Sequence, residues 1–591
     1  MKRALTPFAF LALPLASVAS AQSFDTQWVE FQLDTGHFTG TTVSSGQLET
    51  DLAWGDLDGD GAPDLVVVRK QPFTSPGKRP NLLLMNEGGK FVDRTSEFAT
   101  ASDVAGDQGF LTPTNDRDVV LVDVDLDGLL DVVTATTISD GDPKHIGHPR
   151  IYMNLGSSAG AWLGLENQDA RVPQLLHFGT GNPQNPRFCS VAAGDLTDDG
   201  FPDLYFGDYD SSGAGGAQQA GNEDLNDRLL INDGNGFFTD ESQTRMTPTM
   251  LLSAFGMASV IADLNGDGYN DVLKDTALNP PQYIAATYNN PANPGTFQVF
   301  DDFHVGFAPY HVNVGDLNQD GRLDLISSDD GDDRFRLNEG NDLFGRVQWS
   351  QAFTYSFLSN DDDDGFSSNN LVADLDNDGW PDSLHADVDV DIPGGNRRMH
   401  IYHNVFDEAG SPVMVEERQT AGAGWIGAVG LTQADLRGTH DVAALDIDGD
   451  GDLDLVISRE NGTDVYLNQL DPITCQADLG FAGPGSVALS LCGDALVDGG
   501  TATLAVDSNL ANAGGVVAIG ASLNPTPLLG GTIVPLPADL VLPFSTDADG
   551  QWSVPINVGP TAAVLYMQAV MFDASQAELF SISNAIEADF N

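Results

Sequence analysis

Seven nine-residue segments concentrate aspartate at fixed spacing: DLDGDGAPD from residue 56, DVDLDGLLD from 123, DLTDDGFPD from 195, DLNGDGYND from 263, DLNQDGRLD from 316, DLDNDGWPD from 374 and DIDGDGDLD from 446. The first position is Asp56, Asp123, Asp195, Asp263, Asp316, Asp374 and Asp446. The fifth is Asp60, Asp127, Asp199, Asp267, Asp320, Asp378 and Asp450. The ninth is Asp64, Asp131, Asp203, Asp271, Asp324, Asp382 and Asp454, and glycine always stands sixth. The third is Asp58, Asp125, Thr197, Asn265, Asn318, Asp376 and Asp448, all oxygen donors. Carboxylates this dense repel one another unless a cation sits among them. Calcium, with about six to eight oxygen ligands in a flexible shell, fits such a loop. Positions 1, 3 and 5 wrap the ion, glycine allows the sharp turn, and position 9 closes the shell. The carbonyl at position 7 also points inward, from Ala62, Leu129, Phe201, Tyr269, Arg322, Trp380 and Asp452. Up to seven calcium ions are therefore expected, with the third site weakest because Thr197 is its poorest donor.

The EF-hand is the main competitor, and it needs a glutamate at position 12 between two helices. Position 12 is here Val67, Thr134, Phe206, Lys274, Ser327, His385 and Ile457. None can close that shell. An acidic turn without metal is the blander alternative, and seven matching copies argue against it.

The loops must be held by something that repeats. Motif starts are separated by 67, 72, 68, 53, 58 and 72 residues, a repeat architecture. Short apolar runs flank each motif, such as VVLV before and LVVV after, which read as strands. A third run ends in asparagine (LLLMN from 82, IYMN from 151, LLIN from 229, IYHN from 401), and several copies add a fourth strand. Four strands per unit and seven units predict an all-β chain: a seven-bladed β-propeller over residues 22–470. The last repeat lacks a fourth strand, so residues 24–33, FDTQWVEFQL, are expected to complete it and close the ring. Beyond 471 the repeat stops, and short alternating runs such as SVALSL, TATLAV and AVLYMQAVMF predict a small β-sandwich over 471–591.

The strand–DxDxDGxxD–strand pattern resembles the FG-GAP (VCBS-type) repeat of integrin α-subunit propellers and many secreted bacterial proteins. The resemblance covers roughly residues 22–470. It implies calcium held by positions 1, 3, 5 and 9 and the position-7 carbonyl. The FG and GAP tripeptides themselves are poorly kept, FG surviving as Phe255-Gly256 outside the loop, which weakens any expectation of integrin-like ligand binding. The tail CQADLGFAGPGSVALSLCGD resembles a C-terminal module of such secreted bacterial proteins.

The 591-residue chain carries 87 acidic against 25 basic residues, a net charge of −62, which excludes nucleic-acid binding through phosphate neutralisation. Lys2 and Arg3, an apolar run from Ala4 to Ala16, and Ala19-Ser20-Ala21 predict a secretory signal peptide over 1–21. No later stretch is long and apolar enough for a transmembrane anchor. A secreted or cell-surface location follows, and in that compartment Cys475 and Cys492 are expected to pair, with Cys189 buried as a small hydrophobe.

Strand alternation puts the acidic loops at one end of the blades and the longest insertions, 134–149, 155–188, 207–227, 386–398 and 405–440, at the other. A partner, an extracellular polysaccharide or protein, is expected on that second face. Scarce basic residues gather there: Arg69, Lys70, Lys78, Arg79, Lys144, Arg150, Arg397 and Arg398, with His145 and His148. Three functions compete: a non-catalytic binding or adhesion module, a structural part of a secreted assembly, and a polysaccharide lyase. Some lyases resemble such a propeller, and Lys144, His145, His148 and Arg150 are the cluster to nominate for that chemistry. No HExxH or P-loop is present. The binding module is the expected reading.

Overall fold

The computed structural model describes residues 28–590 apart from 39–48, 71–76, 140, 210–225, 254–255, 278–281, 306–308, 330, 356–365, 389–397, 407–411, 417–429, 460–461, 470–475, 482, 486, 494–495, 497–500, 509, 511–512, 529–530, 535–536, 547–549, 558–562, 574–575 and 577–578. The expected signal peptide and Cys475 lie outside these residues, and the Cys492 side chain is likewise not described, so the expected disulfide falls outside them too.

Each motif is the turn of an antiparallel hairpin. The hairpins pair Glu49–Gly55 with Asp64–Lys70, Asp116–Val122 with Asp131–Thr136, Phe188–Gly194 with Asp203–Asp208, and Ser259–Ala262 with Asp271–Thr276. The remaining three pair Pro309–Gly315 with Asp324–Asp329, Phe366–Ala373 with Asp382–Val388, and Thr439–Leu445 with Asp454–Arg459. In all seven the ninth-position aspartate opens the second strand and faces the last residue of the first, as in Gly55↔Asp64 and Leu445↔Asp454. Each hairpin belongs to its own sheet of four or five strands, the third strand being the run that reaches asparagine, for example Leu82–Asn86 and Arg150–Asn154.

The second strands are buried along most of their length, wholly so in DLVVVRK at 64–70 and DVVTAT at 131–136. Near-continuous apolar runs suit a strand covered on both faces. The covering comes from neighbouring repeats. One apolar cluster joins the first and second repeats through Val66, Leu83, Val119 and Val132; another joins the second and third through Val133, Ile151, Val191 and Phe206. Similar clusters join the third to the fourth, the fourth to the fifth, the fifth to the sixth and the sixth to the seventh. A further cluster joins the seventh back to the first, through Val456, Val465, Leu65 and Leu84.

Phe31–Asp34 pairs antiparallel with Gly462–Asn468, Phe31 opposite Asn468, and completes the four-stranded sheet of the seventh repeat. The expected N-terminal strand is thus present, within 31–34. The sequence reading missed an edge strand in the second sheet, Ala101–Ser102, and a separate hairpin of Asn338–Asn341 with Val347–Trp349. The described α-helices are single turns of four residues, such as Lys144–Gly147.

After the repeats the strands form a five-stranded sheet, in the order Ala477–Gly480, Phe580–Phe590, Ala563–Phe572, Gly514–Gly520 and Leu540–Ser545, and a three-stranded one of Val487–Gly493, Thr501–Ser508 and Gln551–Asn557. Leu491 and Leu504 of the smaller sheet and Val517, Ala569 and Met571 of the larger share one core. No described helix is long and apolar enough to cross a membrane.

Candidate metal centres

The same bonds shape every acidic loop. The first-position carboxylate accepts the amides of positions 5 and 6, as Asp56 does from Asp60 at 3.1 Å and Gly61 at 2.9 Å, and Asp195 from Asp199 at 3.2 Å and Gly200 at 2.8 Å. The fifth-position carboxylate accepts the position-7 amide, as Asp378 does from Trp380 at 2.7 Å. Folding the loop this tightly needs left-handed backbone at two points. Position 6 is glycine throughout, with φ between 80° at Gly321 and 99° at Gly451. Position 4 is left-handed as well. Gly59, Gly266 and Gly449 take it freely, whereas Leu126, Asp198, Gln319 and Asn377 hold φ at 56–58°. The sequence offered a faint signal for this second point, glycine in three copies.

The ninth-position aspartate is the buried anchor. In all seven loops one oxygen accepts the position-2 amide and the other accepts the main-chain amide of the third-strand asparagine; for Asp64 these are Leu57 at 3.0 Å and Asn86 at 2.9 Å. Burial pushes the carboxyls of Asp64, Asp131, Asp324 and Asp454 up to about 7, Asp203 to about 6 and Asp271 to about 8, and Asp382 well above its usual range.

The third-strand asparagine does more. Its side-chain amide donates to the position-2 carbonyl of the preceding loop: Asn154 to Leu57, Asn232 to Val124, Asn289 to Leu196, Asn338 to Leu264, Asn404 to Leu317 and Asn468 to Leu375, at 2.7–3.0 Å. Asn86 of the first repeat donates to Ile447 of the seventh, at 2.8 Å. The sequence reading used these asparagines only as strand ends. Glycines carry the turns after the third strands over the same loops. At Gly295 a Cβ would lie 2.7 Å from Thr197 Cγ2, and φ is +77°. These turns and the acidic loops therefore share one end of the sheets, as expected.

Ligand-capable atoms converge within 4.8 Å in four loops: Asp56, Asp58 and Asp64; Asp123, Asp125 and Asp127; Asp374, Asp376 and Asp382; Asp446, Asp448 and Asp454. The third, fourth and fifth loops have Thr197, Asn265 and Asn318 in place of one carboxylate. In the fifth, Arg322 also pairs with Asp320 and offsets its charge. The donor sets fit a divalent cation. Asp125 Oδ1 and Thr197 Oγ1 are buried and make no hydrogen bond, which leaves two third-position oxygens without a hydrogen-bond partner in the protein. Burial and the neighbouring carboxylate of Asp60 push Asp58 up, and Asp127 does the same to Asp125. A cation would relieve that repulsion.

The second face corrects one expectation. The basic residues there do not form a patch. Arg69, Lys70, Arg150 and Arg398 are buried. Arg150 pairs with Asp107 at 2.5 Å and Arg398 with Glu416 at 2.7 Å. Lys78 pairs with Asp142, and Lys144 with Asp169 at 3.0 Å. Arg397 lies outside the described residues. The nominated lyase cluster dissolves with them: His148 is buried, accepts the Leu175 amide at 3.0 Å, and is pushed down to about 3 by burial and then by Lys144. What this face has instead is a polar pocket of about 540 Å³, lined by Asp142, Lys144, Gln174, His177, Asn182 and Gln184 among others. Elsewhere Ser383, His385 and Asp333 line up, with Ser383 Oγ 2.7 Å from His385 Nε2 and Asp333 Oδ2 3.3 Å from Nδ1. All three are buried, so the chain of bonds is part of the core.

Loops of this geometry, one per sheet in a β-only repeat, define a class. Residues 56–134 and 195–273 match the FG-GAP-like repeat, so the chain carries FG-GAP-like repeats in those two places. No curated protein matches it. Among solved structures it is similar to Trypanosoma rangeli sialidase in complex with the inhibitor DANA, at 11% identity and a TM-score of 0.34, over 84% of this chain and 91% of that one. The same sialidase with sialic acid gives 11% identity and a TM-score of 0.32, over 87% and 93%. A tetra-tandem repeat in the extending region of a large adhesion protein gives 10% identity and a TM-score of 0.12, over 93% of this chain and 100% of that one. Likenesses this loose carry no argument about activity.

Proposed function

We propose that this is a secreted, calcium-stabilised propeller of seven blades, followed by a small β-sandwich over 471–591, that works as a non-catalytic binding module for extracellular glycans or proteins. The observation that carries the reading is the cycle of seven asparagine clasps, each tying one acidic loop to the next and the seventh to the first. Calcium in the loops, up to seven ions, is structural: it converts carboxylate repulsion into a cross-link between the first two strands of each blade, so binding adds to folding free energy. FG-GAP repeats commonly bind calcium, and the carboxylate clusters suit it.

The ligand face is the end opposite the acidic loops. Its pocket is lined by amide, imidazole and ammonium groups, with the one carboxylate, Asp142, paired to Lys78, and suits the hydroxyls and carboxylates of an acidic glycan. The chain should be mixed with acidic polysaccharides at millimolar calcium, following co-sedimentation and ultraviolet absorbance together. Co-sedimentation at constant absorbance, weakened by His177→Ala, supports this reading. Rising absorbance means unsaturated products and a lyase, and binding of none of them moves the search to protein partners.

A further inference from the structure

We infer that the sixth acidic loop is a mixed carboxylate–imidazole centre that selects a transition-metal ion, whereas the other six are oxygen-only. The inference rests on the reading that these loops hold divalent cations. The distinguishing residue is His403. It stands one position before the clasp asparagine Asn404, on His400–Asn404, the strand beside the loop. The corresponding residues of the other repeats are Met85, Met153, Ile231, Tyr288, Leu337 and Leu467, none of them a nitrogen donor.

His403 Nε2 lies 3.3 Å from Asp376 Oδ2, and the ligand-capable atoms of Asp376, Asp378 and His403 all fall within 4.8 Å of one another. Those of Asp374, Asp376 and Asp382 do the same. The two groups share Asp376, so this loop offers two overlapping sets of ligand atoms, one of which includes the imidazole. The ring is held in place by Trp28 of the N-terminal segment, stacked on it at 4.3 Å between centroids and 5° between planes. A stacked ring presents its edge, and so its nitrogen, to the loop.

Calcium is a hard ion that takes oxygen ligands. A neutral imidazole suits zinc and its first-row neighbours, for which a nitrogen added to carboxylates raises affinity. The same nitrogen contributes little to calcium. Placing it in one loop of seven therefore gives that loop a different ion. The competing role, an ion pair between His403 and Asp376, needs no metal and makes the opposite forecast for the variants below.

The test is a calorimetric titration of Zn²⁺ into the full chain at millimolar calcium, for the wild type, His403→Leu and His403→Gln. Leucine is what the fifth and seventh repeats carry at this position, so the fold tolerates it there; glutamine keeps a polar oxygen but no ring nitrogen. The expected result is one Zn²⁺ taken up in the presence of calcium, at least about tenfold more weakly by both variants. Calcium should still raise the melting temperature of the variants as it does for the wild type. Equal Zn²⁺ affinity in all three chains, or no Zn²⁺ uptake by the wild type in calcium, overturns the inference. A chain that takes Zn²⁺ through His403 yet gains no stability from calcium upholds it and overturns the reading of the other loops.

Discussion

Asn86 Nδ2 donates to the carbonyl of Ile447 at 2.8 Å, across 361 positions of sequence. The bond has the same form as the six that join successive repeats, but it joins the first to the last. It is seconded by the amide of Leu52, which donates to Asp441 Oδ2 at 2.7 Å. Both cross the interface at which Val456 and Val465 meet Leu65 and Leu84.

Asn86→Ala should therefore destabilise the chain although Asn86 lies outside the metal loops. It leaves the Ile447 carbonyl and the Gly89 amide, which donates to Asn86 Oδ1 at 2.9 Å, without their side-chain partner. Leaving buried polar groups unpaired costs about 1–3 kcal/mol. Urea denaturation in calcium should show a lower midpoint. Asn232→Ala, which cuts an internal clasp, should cost a similar amount. A silent Asn86→Ala beside a costly Asn232→Ala would mean that the first and last repeats are not clasped in solution.

The buried ninth-position aspartates set the pH dependence of the metal-free chain. Asp64, Asp131, Asp324 and Asp454 rise to about 7 and Asp271 to about 8, above the ordinary carboxylate value of the unfolded chain. A raised acid holds its proton more tightly when folded, so its stabilising share is full below about pH 4 and is lost as pH climbs through the folded values. Freed of calcium by dialysis over a chelating resin, the chain should melt at steadily lower temperature from pH 5 to pH 8. Calcium substitutes for the protons, so the gap between loaded and metal-free melting temperatures should widen over the same range. A gap that stays constant with pH would show that the metal does not draw on these carboxylates.

Leu126 is the apolar side chain among those held left-handed at position 4 of these loops. It holds φ at 57° and is about half exposed, at a position where the first, fourth and seventh loops have glycine. A left-handed conformation costs a side chain about 1–2 kcal/mol, partly offset in a glycine variant by its larger unfolded-state entropy. Leu126→Gly should thus stabilise the chain by about 0.5–1 kcal/mol in calcium. A loss of stability would mean that Leu126 contributes packing not seen in its exposed position.

The loops and the hairpins around them were legible because both are written locally: period-two apolar runs fix the strands, and Asp-Gly spacing fixes the turn. The carboxylate clusters of four of the loops could be read for the same reason. The asparagine clasp was not, since its meaning depends on which repeat lies alongside, and no local pattern carries that. The basic residues misled for a related cause. Arg150 and Arg398 sit in sequence among loop residues, but tertiary packing brings Asp107 and Glu416 to them and turns a supposed surface patch into buried pairs. His403 and His400 stand three residues apart on one strand. The two do face different partners, Asp376 and Glu416, and only the adjoining loop gives the first of them a chemical use.

The N-terminal strand supplies the last prediction. Phe31 is 1% exposed and packs with Leu375, Leu455 and Tyr466, on a strand that pairs with Gly462–Asn468. Removing a buried aromatic ring costs about 3–5 kcal/mol. Because Phe31 is separated from its partners by most of the repeats, that cost falls on the association of the two ends of the repeat array. Phe31→Ala should lower the melting temperature in calcium, and amide exchange should quicken in the seventh-repeat strand 462–468 more than in the internal strand 228–232. Exchange that quickened equally in both would mean that the N-terminal strand stabilises the fold as a whole and does not act as the local closure of the last sheet.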